Sequence, residues 1–171
     1  VVVSAPGKRF SGDTKVTDLL YICHAHIKYN APFDDVLDKI EDRYREIHAS
    51  CKLTQDIETE FLKIRANLSK KTSVDYIVSR GEYLNAKLMA EYLGYTFVDS
   101  ADWLVFNYNG KVDFDKSYEN LATIMQNTSK VVLPGFYGAT PDGNIKTFSR
   151  GGSDITGAIA AAAMNVDMYE N

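Results

Sequence analysis

The chain has 171 residues, of which 45% are hydrophobic and 25% charged, with a formal net charge of −4. That length suits one α/β domain with a real core, and the composition is ordinary for a soluble globular protein. An acidic chain with dispersed Lys and Arg is a poor candidate for nucleic-acid binding, which needs clustered cations against phosphates, and any anion site must be locally basic.

Val1–Val3 is a β-branched run of the kind buried in parallel sheets. Ser4–Thr14, rich in Gly, Pro and polar residues, reads as a loop. Helical spacing follows through Val16, Leu19, Leu20, Cys23 and Ile27, predicting a helix over Val16–Tyr29. Ala31-Pro32 breaks it, and Pro32 suits the first turn of the next helix, Phe33–Ser50, with an apolar face of Phe33, Val36, Leu37, Ile40, Tyr44 and Ile47. A third amphipathic helix runs from about Asp56 to Ser69. The charged faces of all three are expected to meet solvent. Ser73–Ser79 is a short mixed stretch leading into Arg80-Gly81-Glu82, where a helix Glu82–Leu93 begins; Gly94 closes it. Tyr95–Val98 reads as a strand, Asp102–Phe106 as a strand or strand edge, Lys116–Gln126 as a helix and Lys130–Phe136 as a strand. Thr140-Pro141-Asp142-Gly143 has the Pro and Gly placement of a type I turn and predicts a hairpin between Val131–Tyr137 and Ile145–Phe148. The last helix, Ile155–Met164, is apolar almost all round and is expected inside the domain. Strands alternating with helices, plus one hairpin, indicate an α/β fold with a mainly parallel sheet covered by helices.

Cys23 and Cys51 are the only cysteines. They read as reduced thiols of a cytoplasmic protein rather than a disulfide scaffold. No signal peptide is visible, and Ile155–Met164 is too short to span a membrane. The chain opens on Val1 inside a strand and stops at Asn171 just past a helix, so both flanks are expected to have been cut away or left out.

Phe148–Thr156 carries the chemistry. Gly151 and Gly152 remove side chains where a backbone must come close to something. Arg150 offers a planar fork suited to a carboxylate or phosphate. Ser153 and Asp154 stand where a helix begins, so either is a candidate cap, and a helix start attracts anions. Alone, Arg-Gly-Gly-Ser-Asp reads more readily as a tight turn with a capping aspartate and a surface arginine. The hairpin before it and the helix after it put it at a strand-to-helix junction, where α/β proteins bind ligands.

Phe148-Ser149-Arg150-Gly151-Gly152-Ser153-Asp154-Ile155-Thr156 resembles the Gly-Arg-Gly-Gly-Ser-Asp signature of aspartate kinases. Leu133-Pro134-Gly135-Phe136-Tyr137-Gly138-Ala139-Thr140-Pro141-Asp142-Gly143 is similar to the family's Pro-Gly-Phe-x-Gly-x-Thr-x-x-Gly strand and turn. Arg80-Gly81-Glu82 resembles its Gly-Glu helix start, and Val2-Val3-Ser4-Ala5 with Val16-Thr17-Asp18-Leu19-Leu20 resembles its second strand and next helix. The match is collinear over most of the chain.

The resemblance implies an α/β/α sandwich of the amino-acid-kinase type, with residues 1–171 forming the amino-acid-binding half of one catalytic domain. The implied reaction is transfer of the γ-phosphoryl group of Mg-ATP to the side-chain carboxylate of L-aspartate, opening lysine, threonine and methionine biosynthesis. Such transfer is mostly positioning and charge neutralisation. Carried over, Arg150 pairs with the α-carboxylate of aspartate and Glu82 with its ammonium. Thr17, Phe136 (through its backbone), Gly151, Gly152 and Ser153 complete the pocket, and Asp154 organises catalytic groups. The bland alternatives are a first-turn acid for Glu82 and a helix cap for Thr17. No metal ligand set is expected from the chain itself. The family's N-terminal Lys-Phe-Gly-Gly segment, the Trp-Thr-Asp-like segment at the nucleotide site and the ACT domains have no counterpart here. The ATP and Mg²⁺ sites are therefore expected largely outside this chain, which alone is expected to be inactive, while the parent enzyme is expected to be a homo-oligomer. Rival readings are another amino-acid kinase and a non-catalytic regulatory or scaffold piece. His24 and His26 point to different helix faces, and no Walker or Rossmann motif is present.

Overall fold

The computed structural model describes residues 1–171. Its centre is a three-stranded parallel sheet in the order β1-β3-β2, formed by Val2–Val3 (β1), Thr96–Phe97 (β2) and Val131–Pro134 (β3). Val2 pairs with Leu133 and Thr96 with Val131. Every residue of β3 is buried, as a central parallel strand must be when helices cover both faces. The α/β fold with helices flanking a parallel sheet is the one expected.

Helices α1 (Val16–Lys28), α2 (Asp34–Ser50), α3 (Ile57–Ala66) and α4 (Val74–Leu93) pack into one apolar cluster. It is built from the predicted stripes: Val16, Leu20, Cys23 and Ile27 on α1, and Leu37, Ile40 and Tyr44 on α2. Burial of each such aliphatic side chain contributes about 1.5–3 kcal/mol. A second cluster joins the sheet to α5 (Phe114–Met125) and α6 (Gly152–Ala163) through Trp103, Leu104, Phe106, Leu121, Leu133 and Ile159. Cys23 is buried, Cys51 is exposed, and the two are not paired. No helix is long and apolar enough to cross a membrane.

Several local expectations change. Pro32 lies outside α2, before its N-cap Phe33. The stretch Ser73–Ser79 is not a lead-in: α4 starts at Val74, capped by the Ser73 hydroxyl accepting from the Tyr76 N–H, and runs on without a break through Gly81 to a left-handed Gly94. Residues 102–106 are not a strand. A 3₁₀ turn over Ser100–Asp102 is followed by single bridges from Val105 to Ala139 and from Phe106 to Val112. The strand predicted over Lys130–Phe136 ends at Pro134, because Phe136 turns the chain with φ +77°.

A hairpin forms around the expected turn, but its first strand is β4 (Tyr137–Ala139), paired with β5 (Ile145–Thr147); Val131–Pro134, expected there, pairs in parallel with β1 and β2 instead. The hairpin turn is closed by the Gly143 N–H donating to the Thr140 carbonyl at 2.8 Å. Helix α6 is not enclosed: only Gly152, Thr156, Gly157 and Ile159 are buried, and Ile155 is 40% exposed. The charged faces of α2 and α3 are not wholly solvated either, since Glu41, Arg43 and Glu60 are buried. Arg65 and Arg45 both pair with Glu41; Lys63 and Lys87 pair with Glu60.

Candidate functional site

At the C-terminal ends of β1 and β3 lies a small polar cleft of about 210 Å³, lined by Ser4, Thr17, Glu82, Phe136, Gly151, Gly152, Ser153 and Asp154. The ends of parallel strands are where open α/β sheets bind ligands. Seven of the residues singled out in the sequence thus meet around one hollow. The eighth, Arg150, does not line it. It is exposed, next to Gly151, with neither an ion pair nor a side-chain hydrogen bond.

Glu82 is the anomalous group of the cleft. It stands in the third turn of α4, so the reading of a first-turn acid favoured by the helix dipole does not apply. It is 4% exposed, and its Oε2 has no hydrogen-bond partner. Burial pushes its pKa up to about 7, against the opposing pull of the Ala5 N–H, its own N–H and the Arg80 charge. A buried, partnerless carboxylate oxygen is costly, and this one borders a cleft.

Two close approaches build the cleft. A Cβ on Gly81 would lie 2.8 Å from the Ala5 Cβ and 3.2 Å from Leu20 Cδ1, so only glycine lets α4 press Glu82 against the loop after β1. A Cβ on Gly135 would lie 2.7 Å from the Ser153 Cα, so the end of β3 touches the start of α6. The cap of α6 is Gly151, with φ +56° and no side-chain bond. Ser153 and Asp154 therefore stand inside the first turn and cap nothing. Asp154 is exposed there, and Ser153 is half-buried.

Thr17 is the second residue of α1, whose capping position is Lys15, so it is not an N-cap. Phe136 has its N–H bonded to the Thr156 hydroxyl at 3.1 Å, while its carbonyl accepts from the Phe148 N–H at 2.9 Å. Of its backbone groups, only a second carbonyl lone pair is left for a ligand.

Ser4 and Thr156 were missed from sequence. Ser4 was marked by its place directly after a strand. Thr156, four residues after Gly152, donates to the Gly152 carbonyl at 2.7 Å and carried no such signal. No group of three or more His, Cys, Asp or Glu side chains is arranged to hold a metal ion. Ser4, Ser153 and Asp154 also border a larger, mostly apolar groove of about 750 Å³ between the β1 edge and α6.

The model of the amino acid kinase family covers residues 1–171, and the chain belongs to that family. Within it, the chain resembles the aspartokinases. It is 36% identical over 188 residues to aspartokinase 3 of Bacillus subtilis, covering 100% of this chain and 41% of that relative. The aspartate kinase of Clostridium acetobutylicum superposes with a TM-score of 0.95 at 47% identity, over 99% of this chain and 39% of that one. Escherichia coli aspartokinase III, solved in complex with aspartate and ADP, shares the fold with a TM-score of 0.78 at 24% identity, over 97% and 40% of the two chains. The chain thus spans about two-fifths of the length of these relatives.

Proposed function

We propose that the cleft is the aspartate-binding site of an aspartate kinase, and that residues 1–171 are the amino-acid-binding part of its catalytic domain. The whole protein then transfers the γ-phosphoryl group of Mg-ATP to the side-chain carboxylate of L-aspartate, giving 4-phospho-L-aspartate at the start of lysine, threonine and methionine biosynthesis. A cytoplasmic location and self-association of the whole protein belong to the same reading.

The observation that carries this reading is the unpartnered Oε2 of Glu82 on a cleft whose lining includes no cation. An α-ammonium group supplies the missing donor and charge. In this reading Thr17 and Ser153 offer hydroxyls, and the Phe136 carbonyl offers its remaining lone pair. Arg150, free of any ion pair, reaches over Gly151 to the α-carboxylate as a bidentate fork. Gly151 leaves room for the ligand against the backbone, while Gly152 lets the start of α6 close on Phe136.

For Mg-ATP, the fit is partial. The first-turn amides of α6 and the hydroxyls of Ser4 and Ser153 suit phosphoryl oxygens. Asp154 suits an Mg²⁺ ion or a lysine. The cleft lining has two carboxylates and no cation, so neutralising the transferring phosphoryl group falls to Mg²⁺ and to cations outside the lining. ATP when bound supplies the phosphoryl group; this chain's residues bind and orient the acceptor.

Calorimetric titration of the chain with L-aspartate, L-glutamate and succinate tests the reading. Binding of aspartate, with succinate rejected because it has no ammonium and with loss of affinity in Glu82→Gln, is the expected result. Equal binding of succinate and aspartate would remove Glu82 from ammonium recognition. Preference for glutamate would move the protein to another amino-acid kinase. In the whole protein, ATP-dependent formation of hydroxylamine-trapped aspartyl phosphate is the corresponding activity.

A further inference from the structure

Arg43 lies on α2, lines no part of the cleft and is 4% exposed. Its guanidinium is spent on one target, the loop between β1 and α1. Nη1 donates to the Gly7 carbonyl at 2.9 Å. Nη2 lies 2.9 and 2.8 Å from the two carboxylate oxygens of Asp13 and also reaches the Thr14 carbonyl at 3.3 Å. Gly7 is on the outgoing leg of the loop, while Asp13 and Thr14 are on the returning leg. One side chain therefore ties both legs together.

Those legs begin and end at the cleft. Ser4 lines it, the Ala5 N–H faces Glu82, and Thr17 lines it from the first turn of α1. The near end is held independently by the Asn85 side-chain amide, which donates to the Ser4 carbonyl at 2.7 Å. Nearer the tip of the loop Arg9 adds a second cross-tie: its side chain and backbone N–H both reach Asp13, and its Nη1 donates to Glu46 of α2 at 2.6 Å. With those bonds and, as a smaller contribution, the Arg43 charge, the Asp13 carboxyl is held down at about 2. The next residue on α2 adds a second strut, with Tyr44 Oη donating to the Gly81 carbonyl beside Glu82.

We propose that Arg43 is a positioning residue for the amino-acid site: by clamping Gly7 to Asp13 and Thr14 it sets the separation of Ser4 and Thr17, and hence the shape of the cleft. This rests on the functional reading above. A role in stability alone accounts poorly for the arrangement. Buried ion pairs are weak stabilisers compared with apolar packing, and here Nε remains buried without a partner. A fork that reaches two chain segments at once is what only Arg provides.

The test compares Arg43→Lys, Arg43→Met and Asp13→Asn in the whole protein, with hydrogen exchange of the amides of residues 7–15 read alongside steady-state kinetics. Lys keeps the charge but loses the fork. Asp13→Asn keeps the shape of the loop and the two carbonyl bonds, and stays informative if Arg43→Met does not fold. In Arg43→Lys, exchange in residues 7–15 should accelerate while that of α4 does not. The KM for aspartate should rise about tenfold or more, and by a clearly larger factor than the KM for ATP. Asp13→Asn should move the same way by a smaller factor. Equal rises in both KM values, or a lowered melting temperature with an unchanged KM for aspartate, would reduce Arg43 to a structural residue. A wild type that does not turn over aspartate sinks the functional reading and the proposal with it. A wild type that does, beside an Arg43→Lys protein indistinguishable from it, sinks the clamp alone.

Discussion

The hydroxyl of Tyr44 donates a 2.7 Å hydrogen bond to the carbonyl of Gly81, one residue before Glu82 on α4. Tyr44 is fully buried, and the bond crosses from one helix to another at the point where α4 has no side chain of its own. Tyr44→Phe leaves the ring packing in place and removes only this bond. We predict a loss of about 1 kcal/mol in urea unfolding, the usual net worth of one such bond. An unchanged unfolding midpoint would mean that the bond contributes nothing beyond filling space.

Gly81→Ala sets two effects against each other. Alanine is the better helix former by about 1 kcal/mol. Its Cβ would stand 2.8 Å from that of Ala5, and overpacking of this kind costs about 1–3 kcal/mol. Ala5 has little room to retreat, since the loop is pinned by Asn85 on one side and Arg43 on the other. The clash should win. The variant is expected to unfold at lower denaturant and to bind aspartate more weakly, because the Ala5 N–H is pushed off Glu82. A protein more stable than wild type would show that the loop gives way freely.

The raised pKa of Glu82 makes stability depend on pH. The folded value is about 7 against an ordinary 4.5, so the fold favours the neutral carboxyl. Its contribution is complete below 4.5 and is lost as pH rises through 7, an effect on the order of 3 kcal/mol at about 1.4 kcal/mol per pKa unit. Glu82→Gln should flatten that part of the pH–stability curve, read by urea unfolding at a series of pH values. An ammonium ligand favours the charged carboxylate, so aspartate binding near pH 6, roughly a unit below the folded pKa, should release up to about one proton. Calorimetry in buffers of different ionisation enthalpy would detect it, and a buffer-independent heat would exclude it.

Two glycines of the β3–β4 segment separate site from scaffold. A Cβ at Gly138 would lie 2.1 Å from the Leu104 carbonyl oxygen, a backbone atom inside the second apolar cluster. Gly138→Ala should therefore cost several kcal/mol or prevent folding, as severe overpacking does. A Cβ at Gly135 meets Ser153 at the mouth of the cleft. That contact includes the Ser153 backbone, so Gly135→Ala is expected to cost stability as well, and by displacing the start of α6 to lose aspartate affinity. Thermal melts paired with aspartate titrations check both effects; an unchanged aspartate affinity in Gly135→Ala would place both glycines in the scaffold.

Much of this was legible in the residue order. Spacing of Val16, Leu20, Cys23 and Ile27 is enough to make α1 and to say which face goes inward, because a helix brings residues three and four apart onto one side whatever it packs against. Thr140–Gly143 makes its hairpin turn for similarly local reasons. The glycines before Ser153 mark a place where backbones come close, because only a missing side chain allows it, and Gly152 does meet Phe136 there. What waited for the tertiary structure was every property set by a distant partner. Gly81 looks like the start of a helix, and it lies mid-helix because the approach of Ala5, far away in sequence, outweighs its poor propensity. Arg43 looks like a solvated charge and is buried because Asp13 and two loop carbonyls receive it. Glu82 is recognisable as an acid from its letter, but its unpartnered oxygen comes from burial, and burial is decided by which surfaces meet.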